Sequence, residues 1–580
     1  MAGVLTGLAS ARQLRKELLL AYCFLAGLPA VWTRLGGIGG LAGKAAYLVL
    51  CLALTIALVA ASHVSRGWLR WSLAVVLSAS AFFLTAYTQV TTQFLTYDAF
   101  INLLNSAAFA GDALAQNRAA LLASLPPCLI LLLALGLAPR RALPRYPNWM
   151  PAAMPLAGCG VLAGVLFVRG GDGALGLPSS FPPLAYSALA AYEAASGEVG
   201  PRQAVSLPLV ARPAARNIVL VVDESIAGAY LDINSPLGVP TPLSRSWPGL
   251  TIANMGIAAS INNCSVGSNV TLRYGGTRED YRRIIATGPS VWAYARKAGL
   301  RTVYIDAQRT GGALQNLMSA EERAQIDRFV QFDTVPVLQR DQAVARELIA
   351  QLADPAPKFI LVNKMGAHFP VQDKYPDAWM RYRPVLERGH FGDISDTGNR
   401  EGFSGTLRDW AHYRNAYRNT LLWNVGVFFE TLLRDGDLSR TTLIYTSDHG
   451  QDLHERGNPG TYTHCSADPA MEEGAVPLVV VDGAHGSGIA RDGRLDVQRG
   501  HASHYMIFPS LLGMMGYDPA RVASTYGPAL GNGAGEALPT FNALFNARLN
   551  RKPVWVGVAA DRLLQPPMKD VRGHLPLASR

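Results

Sequence analysis

The hydrophobic pattern of the chain changes once, about a third of the way along. Before that point, long apolar runs dominate: Leu18–Trp32, Ala45–Ala61, Trp71–Thr91, Ala119–Leu137 and Trp149–Val168. Each approaches or reaches the roughly 20 residues that cross a hydrocarbon core, so the pattern predicts five membrane-spanning helices. The first run has no small-residue cleavage site and four more follow it, which favours a span over a signal peptide. From Arg216 onward the runs shorten and become β-branched: "NIVLVV", "TVYID", "KFILVNKMG", "TTLIYTSDHG" and "VPLVVVDG". Helical stretches such as "SVWAYARKAG" and "DWAHYRNAYRNTLLWNVGVFFETLLRDG" separate them. Strand and helix in alternation predict an α/β domain with a mainly parallel sheet buried on both faces.

Two connecting segments mix apolar and polar residues at helical spacing: "TQFLTYDAFINLLNSAAFAGDALAQ" and "PSSFPPLAYSALAAYEAASG". They read either as amphipathic helices on the membrane surface or as helices packed on the soluble domain. The predicted organisation is a five-helix transmembrane domain over 1–170, an interfacial linker over 171–214, the α/β domain over 215–545 and a C-terminal tail over 546–580.

Composition agrees with this division. Hydrophobic residues make up 49% of the 580 and charged residues 16%, a balance that suits a partly membrane-embedded protein. The net charge of +10 does not indicate nucleic acid, because much of the N-terminal basic charge sits in short loops between apolar runs. Arg12, Arg15 and Lys16, then Arg66 and Arg70, then Arg140, Arg141 and Arg145 all fall on one side if every run crosses. Arg34 and Lys44 fall on the other. The majority marks the cytoplasmic side, and an odd number of spans places everything after Val168 outside it. Four of the six cysteines lie in the apolar runs; Cys264 and Cys465 remain, and a bridge between them is left open.

In open α/β sheets the chemistry collects at the carboxyl ends of the strands. "NIVLVV" ends in Asp223-Glu224-Ser225, and "TTLIYT" ends in Ser447-Asp448-His449-Gly450. Carboxylate and imidazole at neighbouring strand ends suit a zinc-type cation. Capping of a following helix explains Asp and Ser there, but neither Glu224 nor the Gly after Asp-His. Between the two strands, "NNCSVGSNVTLRYGG" crowds hydroxyls around a predicted helix start. A hydroxyl at a helix N-terminus beside a dication is an activated nucleophile. Ser265 and Ser268 are equivalent as capping residues, and Ser268 is taken as the nucleophile.

These motifs resemble the membrane-anchored phosphoethanolamine transferases that modify lipopolysaccharide, within the sulfatase/alkaline-phosphatase-like superfamily. "VVDES" resembles the family's V-V-G-E-T, and "CSVGS" its C-G-T-x-T with Ser in place of Thr. The resemblance implies metal ligation by Glu224, Ser268, Asp448 and His449, with Ser268 as nucleophile. "MGAHFPVQDKYP" and "GTYTHCS" resemble the segments that carry phosphate-binding histidines, placed here at His368 and His464. It further implies one zinc ion with a second left open, and phosphatidylethanolamine as donor. A phospho-serine intermediate and an envelope glycan or lipid A-type acceptor follow, at the periplasmic face of a bacterial inner membrane.

The sequence departs from the family in several places. The Cys expected shortly after Cys264 is missing from "TLRYGG", Asp223 replaces a small residue, and Tyr505 stands where an acidic residue is usual. A phosphoglycerol transferase of the same superfamily is the alternative enzyme, and a tethered, non-catalytic envelope assembly factor the alternative from another class. The sulfatase motif C-x-P-x-R is absent, with Val266 and Ser268 at its Pro and Arg positions. His390, His412, His454, His501 and His504 are assigned no role.

Overall fold

The computed structural model describes residues 2–564 except 92–93, 106–113, 115–116, 140–146, 148, 197–199, 389–404, 458–461, 467, 492, 548 and 550. Arg140, Arg141, Arg145 and His390, parts of the first amphipathic segment and the last 16 residues of the tail lie outside the described residues. Two compact units form: residues 1–198 with 547–552, and residues 199–546 with 553–580. The segment after 546 is therefore divided between them.

The first unit is helical. Five of its helices, α1 (Ala2–Gly37), α2 (Leu41–Ser62), α3 (Gly67–Thr91), α5 (Arg118–Gly136) and α6 (Trp149–Val168), are long and apolar enough to cross a membrane, α1 over Lys16–Gly37. Buried Ala57, Ala61, Ala74, Ala81 and Ala134 let these helices approach closely, as small residues do in lipid. Basic side chains gather at one end. Lys16 Nζ donates to the carbonyls of Ser62 (2.5 Å) and Leu137 (2.7 Å), and Arg70 Nε donates to that of Gly136 (3.0 Å). Cations there complement the orphan carbonyls of helix C-termini.

The two amphipathic segments supply α4 (Tyr97–Asn105) and α7 (Pro182–Ser196). They pack on each other within this unit. Tyr97 donates to Glu193 Oε2 at 2.5 Å, Tyr186 donates to the Leu95 carbonyl at 3.0 Å, and the Tyr97 and Tyr186 rings lie 5.6 Å apart.

The second unit is built on a seven-stranded sheet. Along the chain it runs β1 (Asn217–Asp223), β2 (Leu250–Ala259), α8 (Ser265–Tyr274), β3 (Arg301–Asp306), β4 (Arg328–Gln331), α9 (Arg340–Ala353) and β5 (Lys358–Asn363). Then follow α10 (Leu407–Leu421), α11 (Phe428–Asp435), β6 (Thr441–Ser447) and β7 (Ala475–Gly483). The spatial order is β2-β7-β6-β1-β5-β3-β4. β4, β3, β5, β1 and β6 pair in parallel, while β7 runs against both β6 and β2. Every residue of β1, β5, β6 and β7 is buried, as the unbroken apolar runs require of a sheet covered on both faces. A hairpin of β8 (Thr540–Asn542) and β9 (Trp555–Gly557) brings part of the tail into this unit.

The long helical stretch after residue 406 begins on a capping box, with Thr406 and Asp409 each accepting from the other's backbone N–H. It is interrupted by a π-helical turn over Leu422–Val427. Such turns free backbone groups from the α-helical ladder. Here the carbonyl of Asn424 accepts from Lys364 Nζ at 2.6 Å, and its side-chain amide donates to the Gly366 carbonyl at 2.5 Å. The turn thereby anchors the loop that follows β5.

Candidate active site

Parallel pairing of β1 with β6 sets Asp223 opposite Ser447. The residues just beyond each strand therefore emerge side by side. The Asp448 N–H donates to the Asp223 carbonyl at 2.9 Å, and the Ser225 N–H donates to Asp448 Oδ1 at 3.0 Å. Glu224, Asp448 and His449 are all buried, and one potential ligand atom from each lies within 4.8 Å of the others. Gly450 follows because a Cβ there would lie 2.3 Å from the Glu472 carbonyl oxygen. Ser225 adopts a left-handed φ of 63°; Tyr417 braces this turn, its hydroxyl donating to the Ser225 carbonyl and accepting from the Ala227 N–H, both at 2.8 Å.

Protonation in this cluster is set by mutual charge. Burial and then the neighbouring Glu224 charge push Asp448 up to about 8. Glu224 is held well below the usual carboxylate range: burial opposes its ionisation, but the hydrogen bond and charge of His449 outweigh it. Burial likewise opposes the His449 cation, yet Asp448 and Glu224 raise it to about 9. His449 Nδ1 lies 2.7 Å from the Gly450 carbonyl, which leaves Nε2 facing Glu224. That second contact is what orients a metal-binding imidazole. Asp448 Oδ2 is buried and has no hydrogen-bond partner among the described residues. An orphaned carboxylate oxygen, a second carboxylate and an imidazole nitrogen form a donor set that fits a zinc-type divalent cation.

The helix α8 starts with Cys264 as N-cap, so Ser265 is its first residue. Ser265 Oγ lies 3.3 Å from Glu224 Oε1, 3.4 Å from Oε2 and 3.3 Å from His449 Nε2. Ser268 sits nearly one turn further in and is fully buried. Its hydroxyl donates to the Asn262 carbonyl and accepts from the Asn262 N–H, both at 3.2 Å. The structure thus brings Ser265, rather than Ser268, to Glu224 and His449. The physical reason is position along α8: Ser265 stands at the helix start beside the strand tips, whereas Ser268, about 4.5 Å further along the axis, has its hydroxyl held by the Asn262 backbone.

His464 stacks on His449 with ring centroids 4.4 Å apart and planes at 21°. His368 Nδ1 lies 2.8 Å from the Phe369 carbonyl. Burial pulls the His368 pKa down, against the raising effect of Glu224. Gly366, with φ 54°, lets the His368 loop pass the cluster, because a Cβ there would fall 2.3 Å from Asp223 Oδ1. Asp223 itself turns away from the cation-type cluster. Its Oδ2 accepts from Lys364 Nζ at 2.6 Å and from the Tyr445 hydroxyl at 3.0 Å, and burial leaves its pKa raised to about 6 despite Lys364.

The structure adds Gln308, whose amide donates to Glu224 Oε2 at 3.1 Å and to the Lys364 carbonyl at 2.8 Å. It stands two residues beyond Asp306, the end of β3, where the strand-end rule already directs attention. Cys264 and Cys465 form a disulfide, which resolves the pairing left open above.

Comparison with solved structures gives the integral membrane protein lipooligosaccharide phosphoethanolamine transferase A (EptA) from Neisseria meningitidis. It is 18% identical, with a TM-score of 0.58 over 90% of this chain and 99% of that one. The C-terminal periplasmic domain of EcEptC from Escherichia coli, in complex with zinc, is 17% identical with a TM-score of 0.48, covering 62% of this chain and 97% of that one. Among curated proteins no sequence match is found. The first comparison shows the fold: apolar spans followed by an alkaline-phosphatase/sulfatase-like domain. The sulfatase family model matches residues 216–517, just over half the chain and the whole seven-stranded sheet with its strand-end cluster; the chain belongs to the sulfatase family.

Proposed function

We propose that this protein is a membrane-anchored phosphoethanolamine transferase whose nucleophile is Ser265. The observation that carries the reading is the Ser265 hydroxyl, first residue of α8, within 3.3 Å of both Glu224 and His449. The fold shared with the Neisseria transferase and the five candidate spans support a lipid donor, because tethering raises the local concentration of a substrate that stays in the bilayer. Glu224, Asp448 and His449 would hold one zinc ion, with Ser265 adjoining it. When bound, the ion supplies Lewis-acid polarisation of phosphoryl oxygens and favours the ionised serine oxygen.

The chain's own groups perform the remaining work. Ser265 Oγ attacks the phosphorus of phosphatidylethanolamine, its proton passing to a neighbouring base. The phosphorus–oxygen bond to diacylglycerol breaks, and diacylglycerol leaves after gaining a proton. His368, kept neutral by burial with Nδ1 on the Phe369 carbonyl, is suited to accept a proton at Nε2. His464, held over His449, is assigned to bind the phosphoryl group or donate to the leaving oxygen. An acceptor hydroxyl or phosphate on an envelope glycan or lipid A-type molecule then attacks the phospho-serine, and the Ser265 oxygen leaves and is reprotonated. With the amino terminus cytoplasmic, this chemistry faces the periplasm of the inner membrane.

Peptide mapping of protein purified from membranes tests the reading. Phosphoethanolamine on Ser265, absent from a Ser265→Ala protein, is the expected adduct. A phosphoglycerol adduct would change the donor, and an adduct on Ser268 with Ser265 unmodified would overturn the assignment of the nucleophile.

A further inference from the structure

The Cys264–Cys465 disulfide joins positions 201 residues apart, and both ends stand next to the reacting groups. Cys264 is the N-cap of α8 and directly precedes Ser265. Cys465 directly follows His464, whose ring covers His449. Hydrogen bonds run alongside the covalent link. The Cys465 N–H donates to the Asn263 carbonyl at 2.9 Å, Asn263 Nδ2 donates to the Ser466 carbonyl at 3.1 Å and to Glu473 Oε2 at 2.9 Å, and the Ser466 N–H also reaches Glu473 Oε2 at 3.1 Å.

Cys465 itself adopts a left-handed φ of 57°, a conformation a non-glycine residue keeps only where its surroundings impose it. The other four cysteines, Cys23, Cys51, Cys128 and Cys159, are free and belong to the helical unit. The bond thus ties the start of α8 to the loop that carries His464. Cys465 is exposed to solvent, so a reductant can reach it.

We propose that Cys264 and Cys465 are positioning residues: their disulfide ties the His464 loop to the start of α8 and holds His464 over His449, and its reduction slows group transfer without unfolding the catalytic unit. The proposal rests on the roles given above to Ser265 and His464. Fold and clamp are separable because α8 and the strand tips keep their own hydrogen bonds, whereas His464 is placed by a loop whose covalent anchor is this bond. A displacement of about 1 Å at a reacting group is enough to cost roughly a hundredfold in rate.

The test uses full-length protein in lipid nanodiscs in three forms: oxidised, reduced with both thiols verified by alkylation and mass, and a Cys264→Ala/Cys465→Ala protein. Measured are kcat and KM for headgroup transfer from phosphatidylethanolamine, bound zinc, and imidazole C2 hydrogen exchange at His464, with buried His504 as reference. Reduction is expected to lower kcat about tenfold or more with KM nearly unchanged. His464 exchange should accelerate while His504 exchange and zinc content hold, and the double variant should match the reduced protein and ignore reductant. Unchanged kcat, unchanged His464 exchange, or acceleration at His504 as well would each overturn the proposal. If even the oxidised protein transfers nothing, the transferase reading fails, and His464 exchange still decides the clamp.

Discussion

The hydroxyl of Ser265 lies 3.3 Å from Nε2 of His449, across a sequence distance of 184 residues. Ser268 instead exchanges hydrogen bonds with the backbone of Asn262. The two serines therefore separate by experiment. Ser265→Ala should reduce kcat by about 10³-fold or more while leaving zinc bound. Ser268→Ala should leave kcat near that of the parent and cost about 1 kcal/mol of stability for the lost hydrogen bonds. Steady-state transfer assays with thermal denaturation of each protein check both.

Zinc should stabilise the folded catalytic unit by mass action. At a free concentration a hundredfold above Kd the gain is about 2.7 kcal/mol, read as a rise in Tm that chelators reverse. Asp448→Asn and Glu224→Gln should abolish the rise, since each removes a charged donor from the cluster. A wild-type protein whose Tm ignores both zinc and chelator would contradict the ligand set.

Gln308 orients Glu224 without touching the reacting atoms. Gln308→Leu should weaken zinc binding about 10–100-fold, measured by competition with a chromogenic chelator. At saturating zinc, kcat should largely recover.

Lys364 lies fully buried with its Nζ 2.6 Å from Asp223 and 3.6 Å from Asp341. Lys364→Met leaves two buried carboxylates without their cation and should cost about 3–5 kcal/mol. Chemical denaturation gives the number, and a loss below about 1 kcal/mol would mean that the pair is hydrated.

His504 supplies a pH dependence. It is buried, Nε2 lies 2.8 Å from the Thr446 hydroxyl, and Nδ1 has no partner among the described residues. Burial lowers its pKa from 6.5 to about 3. Because the folded-state pKa is depressed, the unfolded chain binds the proton more readily. Stability is fully present above pH 6.5 and declines as pH falls toward 3, by at most about 1.4 kcal/mol per pH unit. Denaturation midpoints from pH 7 to pH 5 should show this slope, and His504→Gln should flatten it.

Much of this protein is legible in one dimension. Five apolar runs, β-branched strands alternating with helices, and charged triplets at two strand ends are local patterns, and local patterns report burial and backbone preference directly. Glu224, Asp448 and His449 could be located for that reason: Glu224 and Asp448 directly follow β1 and β6, and His449 comes next. The π-helical turn at Asn424, the Asp223–Lys364 pair and the contact of Gln308 with Glu224 were not readable, because each depends on which strands become neighbours.

The choice between Ser265 and Ser268 shows the boundary most sharply. Composition places both near a helix start, and the two are equal as caps. Only the folded chain sets the start of α8 beside the strand tips, so that residue 265 meets them while residue 268, about 4.5 Å further along the axis, is taken up by the Asn262 backbone. The pairing of Cys264 with Cys465 belongs to the same category. Two sulfurs 201 residues apart are brought within bonding distance by sheet order, which hydrophobic periodicity does not encode.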